Sequence, residues 1–221
     1  MSGSIRLMFS NILIIAGFVI LILTYGPLIK DEFWYMLKEA KDQNYQLNAS
    51  GGEQDSAFAR YLSNKTVSLR PVNTSFSIVI EKIGVNAPVV ADVPVTDKNA
   101  YLKALKAGVA HAAVSEYPSE GPGNVYLFAH ASIDFWRLGK YATVFNLLRK
   151  VEPGDEVHVF YKGDDYVYQV INKEVLKGFD TFPLTRSTIE PILTLQTCDP
   201  PGTTFNRLVV TAKLIRVDDI K

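Results

Sequence analysis

The sequence predicts a mainly β domain, a barrel or a sandwich with few helices, that follows an N-terminal transmembrane helix. Two observations lead to this fold class. A run of 23 residues from Leu7 to Ile29 contains no charged side chain. The rest of the chain holds about seven or eight apolar runs of strand length, separated by turn residues, and few stretches with helical spacing of apolar residues.

The apolar run is long enough to cross a membrane. As a helix it would measure about 34 Å, against about 30 Å for a hydrocarbon core. A buried core helix, the first alternative, would normally be amphipathic. A cleaved signal peptide, the second, would end in small residues, whereas this run closes on Tyr25-Gly26-Pro27-Leu28-Ile29. We therefore expect residues 1–30 to form an uncleaved anchor. The charges of Arg6 and Lys30 favour a cytoplasmic N-terminus only slightly.

The stretch after the anchor divides into a stalk and a folded domain. Residues 31–70 are expected to form a short juxtamembrane helix, Asp31–Lys41, and then a polar linker that includes Asn48-Ala49-Ser50-Gly51-Gly52. The folded domain should span residues 71–217, which is long enough for one hydrophobic core. Residues 218–221 are left as a C-terminal tail.

Strand signals dominate the folded domain. Lys162-Gly163-Asp164-Asp165 joins two of the runs as a hairpin turn. Two helices are expected, at Tyr101–Lys106 and at Leu138–Lys150, where the sequence is rich in leucine and apolar residues recur at helical spacing. The predicted strands are Phe76–Ile80, Val85–Val90, Asn124–His130, Glu156–Tyr161, Tyr166–Ile171, Ile192–Thr197 and Leu208–Ile215.

Composition excludes several classes of function. The chain has 23 basic and 23 acidic side chains, and a nucleic-acid-binding protein would usually carry a basic excess. Its single cysteine, Cys198, excludes an intrachain disulfide and any multi-cysteine metal site. A cysteine nucleophile is still compatible with this composition.

The surroundings of Cys198 favour that role. The residue follows the predicted strand Ile192–Thr197 and precedes Pro200-Pro201, which cannot continue a central strand, so we expect it at a rim where strand becomes loop. The alternative is a buried structural cysteine, the commoner fate of a free thiol. Arg207 begins the next predicted strand, and antiparallel pairing would bring the Cys198 and Arg207 side chains to the same end of the sheet.

Three histidines compete to be the partner of the thiol. Cysteine acyl transfer needs an imidazole that donates a proton to the leaving amine, and a positive or hydrogen-bonding group where the oxyanion develops. His130 ends an apolar strand and precedes small residues, which places its imidazole at a rim with room for a substrate. His111 lies in a loop-like stretch and is a rival. His158 alternates with valines and should face away from the core.

These residues lie in motifs that resemble those of the sortases, the cysteine transpeptidases of bacterial surfaces. Thr194-Leu195-Gln196-Thr197-Cys198 matches the TLxTC signature, and Arg207-Leu208-Val209-Val210 is similar to the arginine-bearing strand. The stretch from Gly123-Asn124 to His130 resembles the segment that carries the family's histidine, except that Ala129 replaces a glycine found in many relatives. The order of anchor, stalk and β-rich domain is also similar.

The resemblance implies an eight-stranded sortase-type β-barrel and a two-step mechanism. Cys198 would attack the threonine carbonyl of an LPxTG-like sorting signal and form a thioester. His130 would protonate the leaving amine and then deprotonate the incoming nucleophile, while Arg207 would stabilise the oxyanion. Thr197, Ala129 and His111 are candidate substrate-binding residues, with His111 as an accessory residue near the cleft. No cofactor or metal is expected.

The resemblance also implies the partners and the location. The substrates would be secreted proteins with a C-terminal LPxTG-like signal, and the nucleophile an amine of a cell-wall precursor or a pilin lysine. The protein would cross the membrane once, with its N-terminus in the cytoplasm and its catalytic domain outside. Two alternatives are an L,D-transpeptidase-like enzyme, whose cysteine motif normally has an adjacent histidine and glycine, and a non-catalytic membrane-tethered binding module.

Overall fold

A computed structural model of the chain describes residues 2–48, 66–131 and 139–220. It begins with one long helix, α1, at Ser2–Ala40. Its segment Met8–Gly26 has a mean hydropathy of 2.3 and is not buried by any other part of the protein, so it is long and apolar enough to cross a membrane. The helix continues without a break through the predicted juxtamembrane segment and ends one residue before its predicted end, at Ala40.

The rest of the described chain is mainly β, as predicted. Eight of the strands close into a barrel in the order β10-β8-β7-β3-β4-β5-β6-β9. The strands are β1 Tyr45–Leu47, β2 Val67–Leu69, β3 Phe76–Ile80, β4 Val85–Val93, β5 Val109–Ala112, β6 Gly123–Phe128, β7 Glu156–Tyr161, β8 Asp164–Lys177, β9 Pro191–Asp199 and β10 Asn206–Asp219. The helices are α2 Lys98–Ala107 and α3 Phe182–Thr185, with 3₁₀ turns at Glu81–Ile83 and Leu148–Lys150.

Local sequence explains how neighbouring elements connect. The β7–β8 hairpin turns through Lys162 and Gly163, which both have positive φ angles, 54° and 97°. That combination is typical of a type I′ turn, whose twist matches that of the flanking strands. Asp97 caps α2, because its carboxylate accepts hydrogen bonds from the amides of Asn99 and Ala100. α2 then leads from the end of β4 to the start of β5, which pair in parallel.

One predicted helix is wrong. Leu138 lies outside the described residues, and from Gly139 the predicted helix Leu138–Lys150 is a series of turns that ends in the 3₁₀ turn Leu148–Lys150. Its backbone bonds join residues three apart, such as the amide of Ala142 to the carbonyl of Gly139. The amide of Phe145 does not bond within these turns but donates to the carbonyl of His130, at 3.4 Å. A long-range contact therefore replaces a helical bond.

A second layer covers one outer face of the barrel. β1 and β2 pair in parallel inside the stretch that the sequence predicts as a linker. Leu69 of β2 packs on Val79 and Phe160, apart from the main core. On the same face, His158 lies outside the main core, as predicted, but is only 5% exposed. Its Nδ1 lies 2.8 Å from the carboxylate of Asp165, so the imidazole takes part in a buried pair on the β7–β8 hairpin.

Candidate active site

Three adjacent strands bring the predicted catalytic residues into one row. β6 and β9 run parallel with Phe128 opposite Gln196, so His130 and Cys198 occupy equivalent positions two residues further along. The amide of Ala129 donates to the carbonyl of Gln196 at 3.1 Å and extends this ladder beyond the end of β6. On the other side of β9, Arg207 of β10 is the antiparallel partner of Cys198. Neighbouring strands lie about 4.8 Å apart, so all three backbones are close.

Cys198 and Arg207 are in direct contact. Nη1 of Arg207 lies 3.7 Å from Sγ of Cys198. The same nitrogen donates to the carbonyls of Thr204, at 3.3 Å, and Asn206, at 3.1 Å, which hold the guanidinium in place. Burial raises the pKa of the half-buried Cys198 thiol, and the positive charge of Arg207 acts in the opposite direction. Cys198 lies within β9 rather than after it, since the strand continues to Asp199.

The imidazole of His130 is partly buried and available. Its Nε2 is shielded from solvent, and no residue in the described part of the chain forms a hydrogen bond with it. Burial lowers the pKa of His130, because a charged imidazolium loses hydration there. The neutral ring therefore has a nitrogen that can bond to a substrate or to a thiol.

Tyr101 is a neighbour of this site that the sequence analysis missed. Its ring meets the ring of His130 edge-on, with centroids 6.3 Å apart, and stacks on Phe128 at 5.2 Å. Burial raises the pKa of the Tyr101 hydroxyl, and negative charge on Cys198 raises it further. Tyr101 starts the predicted helix Tyr101–Lys106, but nothing in the sequence relates that helix to the cysteine.

Thr197 and Ala129, two candidate substrate-binding residues, are bonded to each other. The Thr197 hydroxyl donates to the carbonyl of Ala129 at 2.9 Å, and both residues are buried. Because side chains alternate along a strand, Thr197 points to the opposite face from Cys198. This bond ties β6 to β9 directly beneath the His130–Cys198 pair. A role of either residue toward a substrate stays a prediction.

His111, the third candidate, is fully buried in β5. The amide of Asp92 donates to its Nδ1 at 3.4 Å, which leaves the proton on Nε2, 3.0 Å from the carbonyl of Glu116. Burial lowers the pKa of His111 and favours this neutral ring. The hydrogen-bond partners of the imidazole belong to β4 and to the segment that follows β5, and neither His130 nor Cys198 is among them. Its accessory role stays a prediction.

A second set of polar residues that the sequence analysis missed continues the row of Cys198 and Arg207 along β9 and β10. Thr194 and Thr211 are cross-strand partners on the same face. Nη2 of Arg186, from the segment after α3, donates to both hydroxyls, at 2.6 and 2.9 Å. Thr194 donates to Asn124 at 2.7 Å, and Asn124 donates to the carbonyl of Pro183 at 2.9 Å. This network attaches the segment 178–190 to the face of the sheet that carries Cys198.

Comparison with known proteins agrees with this geometry. The chain is 26% identical to Sortase D of Bacillus subtilis (strain 168) over 166 residues, which cover 74% of this chain and 73% of the relative. The structure of sortase C-1 from Actinomyces oris matches with a TM-score of 0.55 and 28% identity, over 66% of this chain and 76% of that one. Sortase C1 from Streptococcus suis matches with a TM-score of 0.53 and 26% identity, over 64% and 73% of the two chains.

The family model of the sortase domain matches residues 78–215, which is more than half of the chain and runs from β3 to β10. This range contains the row of His130, Cys198 and Arg207, six of the eight barrel strands in full and parts of β3 and β10. The barrel, the order of its strands and the match over this range lead to one conclusion: the chain belongs to the sortase family of cysteine transpeptidases.

Proposed function

We propose that this protein is a membrane-anchored sortase that cleaves an LPxTG-like sorting signal through a thioester on Cys198. The acyl group is then transferred to an amine, either of a cell-wall precursor or of a pilin lysine. The observation that carries the proposal is the row of His130, Cys198 and Arg207 on three adjacent strands, with the guanidinium 3.7 Å from the thiol sulfur. Membership of the sortase family replaces the L,D-transpeptidase and binding-module alternatives.

The site favours a neutral thiol beside a neutral imidazole before a substrate binds. Burial moves the pKa of Cys198 up and the pKa of His130 down, and both shifts disfavour the charged forms. The thiol proton then passes to His130 as Sγ attacks the threonine carbonyl, and His130 gives it to the leaving amine. In the second step His130 takes a proton from the incoming amine, and the thiol is regenerated.

Arg207 supports the charge that develops in both steps. Its guanidinium is held by two backbone carbonyls beside Sγ, so little reorganisation is needed when the carbonyl oxygen becomes negative. A planar guanidinium also offers several N–H donors at fixed angles, which an ammonium does not.

The apolar part of the first helix supports the proposed location. The segment Met8–Gly26 would cross the membrane once, with the N-terminus in the cytoplasm and the barrel outside. Substrates of such an enzyme are secreted proteins that carry the sorting signal. The barrel would meet them at the outer surface of the membrane.

The decisive experiment is a cleavage assay of the full chain in detergent micelles. The chain is incubated with a set of LPxTG-like peptides and several amines, and mass spectrometry identifies an acyl adduct on Cys198 and the transfer products. Cys198→Ala should lose the adduct and all cleavage. His130→Ala should lose nearly all turnover, whereas His111→Ala should retain a measurable fraction. Cleavage by Cys198→Ala would refute the nucleophile assignment.

A further inference from the structure

The part of α1 that follows the apolar segment is docked onto the barrel. Glu32 forms ion pairs with Arg149 and with Lys150, the latter at 3.2 Å. The carboxylate of Asp31 accepts a hydrogen bond from the Asn146 amide at 3.3 Å. Tyr35 packs against the main core. Because these contacts come from successive turns of one continuous helix, the barrel has a defined orientation relative to the helix axis.

The contacts also show where the helix leaves the barrel. Near its C-terminal end, Nζ of Lys38 donates to the carbonyl of Lys82 at 2.8 Å, in the turn between β3 and β4. Two turns earlier, Asp31 contacts Asn146, whose neighbour Phe145 donates to the carbonyl of His130. By strand pairing, the β3–β4 turn and the segment between β6 and β7 both lie at the end of the barrel where β6 and β9 finish and β10 begins, which we name the triad end. The helix therefore leaves the barrel at this end. Gly26 precedes Asp31 by only about 7.5 Å of helix.

Two exposed phenylalanines lie at the same triad end. Phe179 follows β8 and is 86% exposed, and Phe205 precedes β10 and is 76% exposed. The amide of Gly178 donates to the carbonyl of Phe205 at 2.9 Å, so the two segments are adjacent. A Cβ on Gly178 would collide with the carbonyl oxygen of Thr204, and this close approach therefore requires a glycine. Phe205 is two residues from Arg207.

We propose that the triad end rests on the surface of the lipid bilayer, with Phe179 and Phe205 in its interfacial region. The proposal rests on the anchoring role of Met8–Gly26 proposed above. A bilayer is the favoured occupant because the apolar helix leaves the barrel at this end, so the membrane that holds the helix lies opposite the phenylalanines. Phenylalanines on the apolar faces of membrane-surface helices are buried about 5–10 Å into the boundary between headgroups and acyl chains, and two exposed phenylalanines can enter this region in the same way. The cleft of Cys198 then opens close to the lipid headgroups.

Spin-label accessibility tests this placement in the full chain. Cys198→Ala removes the native thiol, and single cysteines are then introduced as Phe179→Cys or Phe205→Cys. Matched controls are Ile189→Cys and Val114→Cys, since these residues are 91% and 71% exposed and lie near the opposite end of the barrel, before β9 and after β5. Each variant carries a nitroxide and is reconstituted in vesicles of phosphatidylcholine and phosphatidylglycerol. Collisions with oxygen and with a water-soluble nickel complex are measured.

Labels at 179 and 205 should collide more with oxygen and several-fold less with nickel than labels at 189 and 114. Equal nickel accessibility at all four positions would overturn the proposal.

Two further measurements separate the bilayer contact from the proposed function. Flotation of the unlabelled chain with vesicles tests the anchor, and peptide cleavage in micelles tests the chemistry. A chain that cleaves peptide but does not float overturns the bilayer contact and leaves the chemistry intact.

Discussion

In the proposed mechanism, Arg207 acts on the reaction centre in two ways. Before the reaction, its charge opposes the effect of burial on the Cys198 thiol and so increases the fraction of thiolate. During the reaction, its N–H groups are available to the oxygen that becomes negative. The first effect needs only a positive charge, whereas the second needs donors at fixed positions. Substitutions can separate the two.

Arg207→Ala should lower kcat by about 10²–10³-fold, the usual loss when an oxyanion donor is removed. It should also move the pH profile of Cys198 alkylation by iodoacetamide to higher pH, because the charge that lowers the thiol pKa is gone. Arg207→Lys should keep most of the alkylation profile and still lose most of kcat. If Arg207→Lys turned over at the wild-type rate, the guanidinium geometry would have no specific role.

The residues of the site differ in how far sequence could predict them. Cys198 and Arg207 are nine residues apart on one hairpin, and the antiparallel register that joins them follows from local pattern. The proximity of His130 depends on the parallel pairing of β6 with β9, 68 residues apart, and only the family resemblance indicated it. Tyr101 and Arg186 reach the site through side chains that cross between elements, and strand patterns contain no information about such contacts.

At the scale of elements, strands were easier to predict than helices. Alternating or continuous apolar runs marked seven of the barrel strands, because each must bury at least one face in the barrel. The buried apolar residues of the segment 139–150 are Ala142, Phe145 and Leu148, a spacing of three that fits a 3₁₀ turn as well as an α-helix. The backbone hydrogen bond from the amide of Phe145 to the carbonyl of His130 favours the series of turns over an α-helix, and this bond depends on tertiary structure.

Arg186 is one of the side chains that hold the segment 178–190 against the sheet. Arg186→Ala removes both hydrogen bonds to Thr194 and Thr211. Each charge-assisted bond contributes about 1.5–3 kcal/mol, and we expect the KM of a sorting-signal peptide to rise by about tenfold or more. The value of kcat should change less, because the row at Cys198 lies about 13 Å away along the strands.

Lys213→Ala is the matched control for Arg186→Ala. It removes an exposed ion pair with Glu190, at the end of the same segment, and exposed pairs contribute little to stability. Its KM should stay within about twofold of wild type. A wild-type KM for Arg186→Ala, measured with the same peptides, would show that the network does not shape the substrate site.

At the scale of the whole molecule, Glu32 links the first helix to the barrel through ion pairs with Arg149 and Lys150. Partial burial raises the pKa of Glu32, but hydrogen bonds from Arg149 and Lys150 outweigh it, and the net pKa is lowered. A carboxylate with a lowered pKa stabilises the folded state above its unfolded pKa of about 4.5, and this contribution is lost as the pH falls through the folded value. The contribution of Glu32 to docking should therefore be fully present near neutral pH.

Charge reversal tests whether this docking reaches the active site. Glu32→Arg places a third positive charge beside Arg149 and Lys150. We expect a lower urea midpoint for unfolding and a several-fold lower kcat. The loss of kcat is expected because the docked helix holds the segment that contains Phe145, whose amide donates a hydrogen bond to the carbonyl of His130. The double variant Glu32→Arg/Arg149→Glu restores one ion pair and should recover part of both losses. Glu32→Gln should cost about 1 kcal/mol or less at neutral pH, and its difference from wild type should vanish as the pH falls below about 4.5. A Glu32→Arg variant with wild-type midpoint and kcat would show that the helix contributes nothing to the geometry of His130.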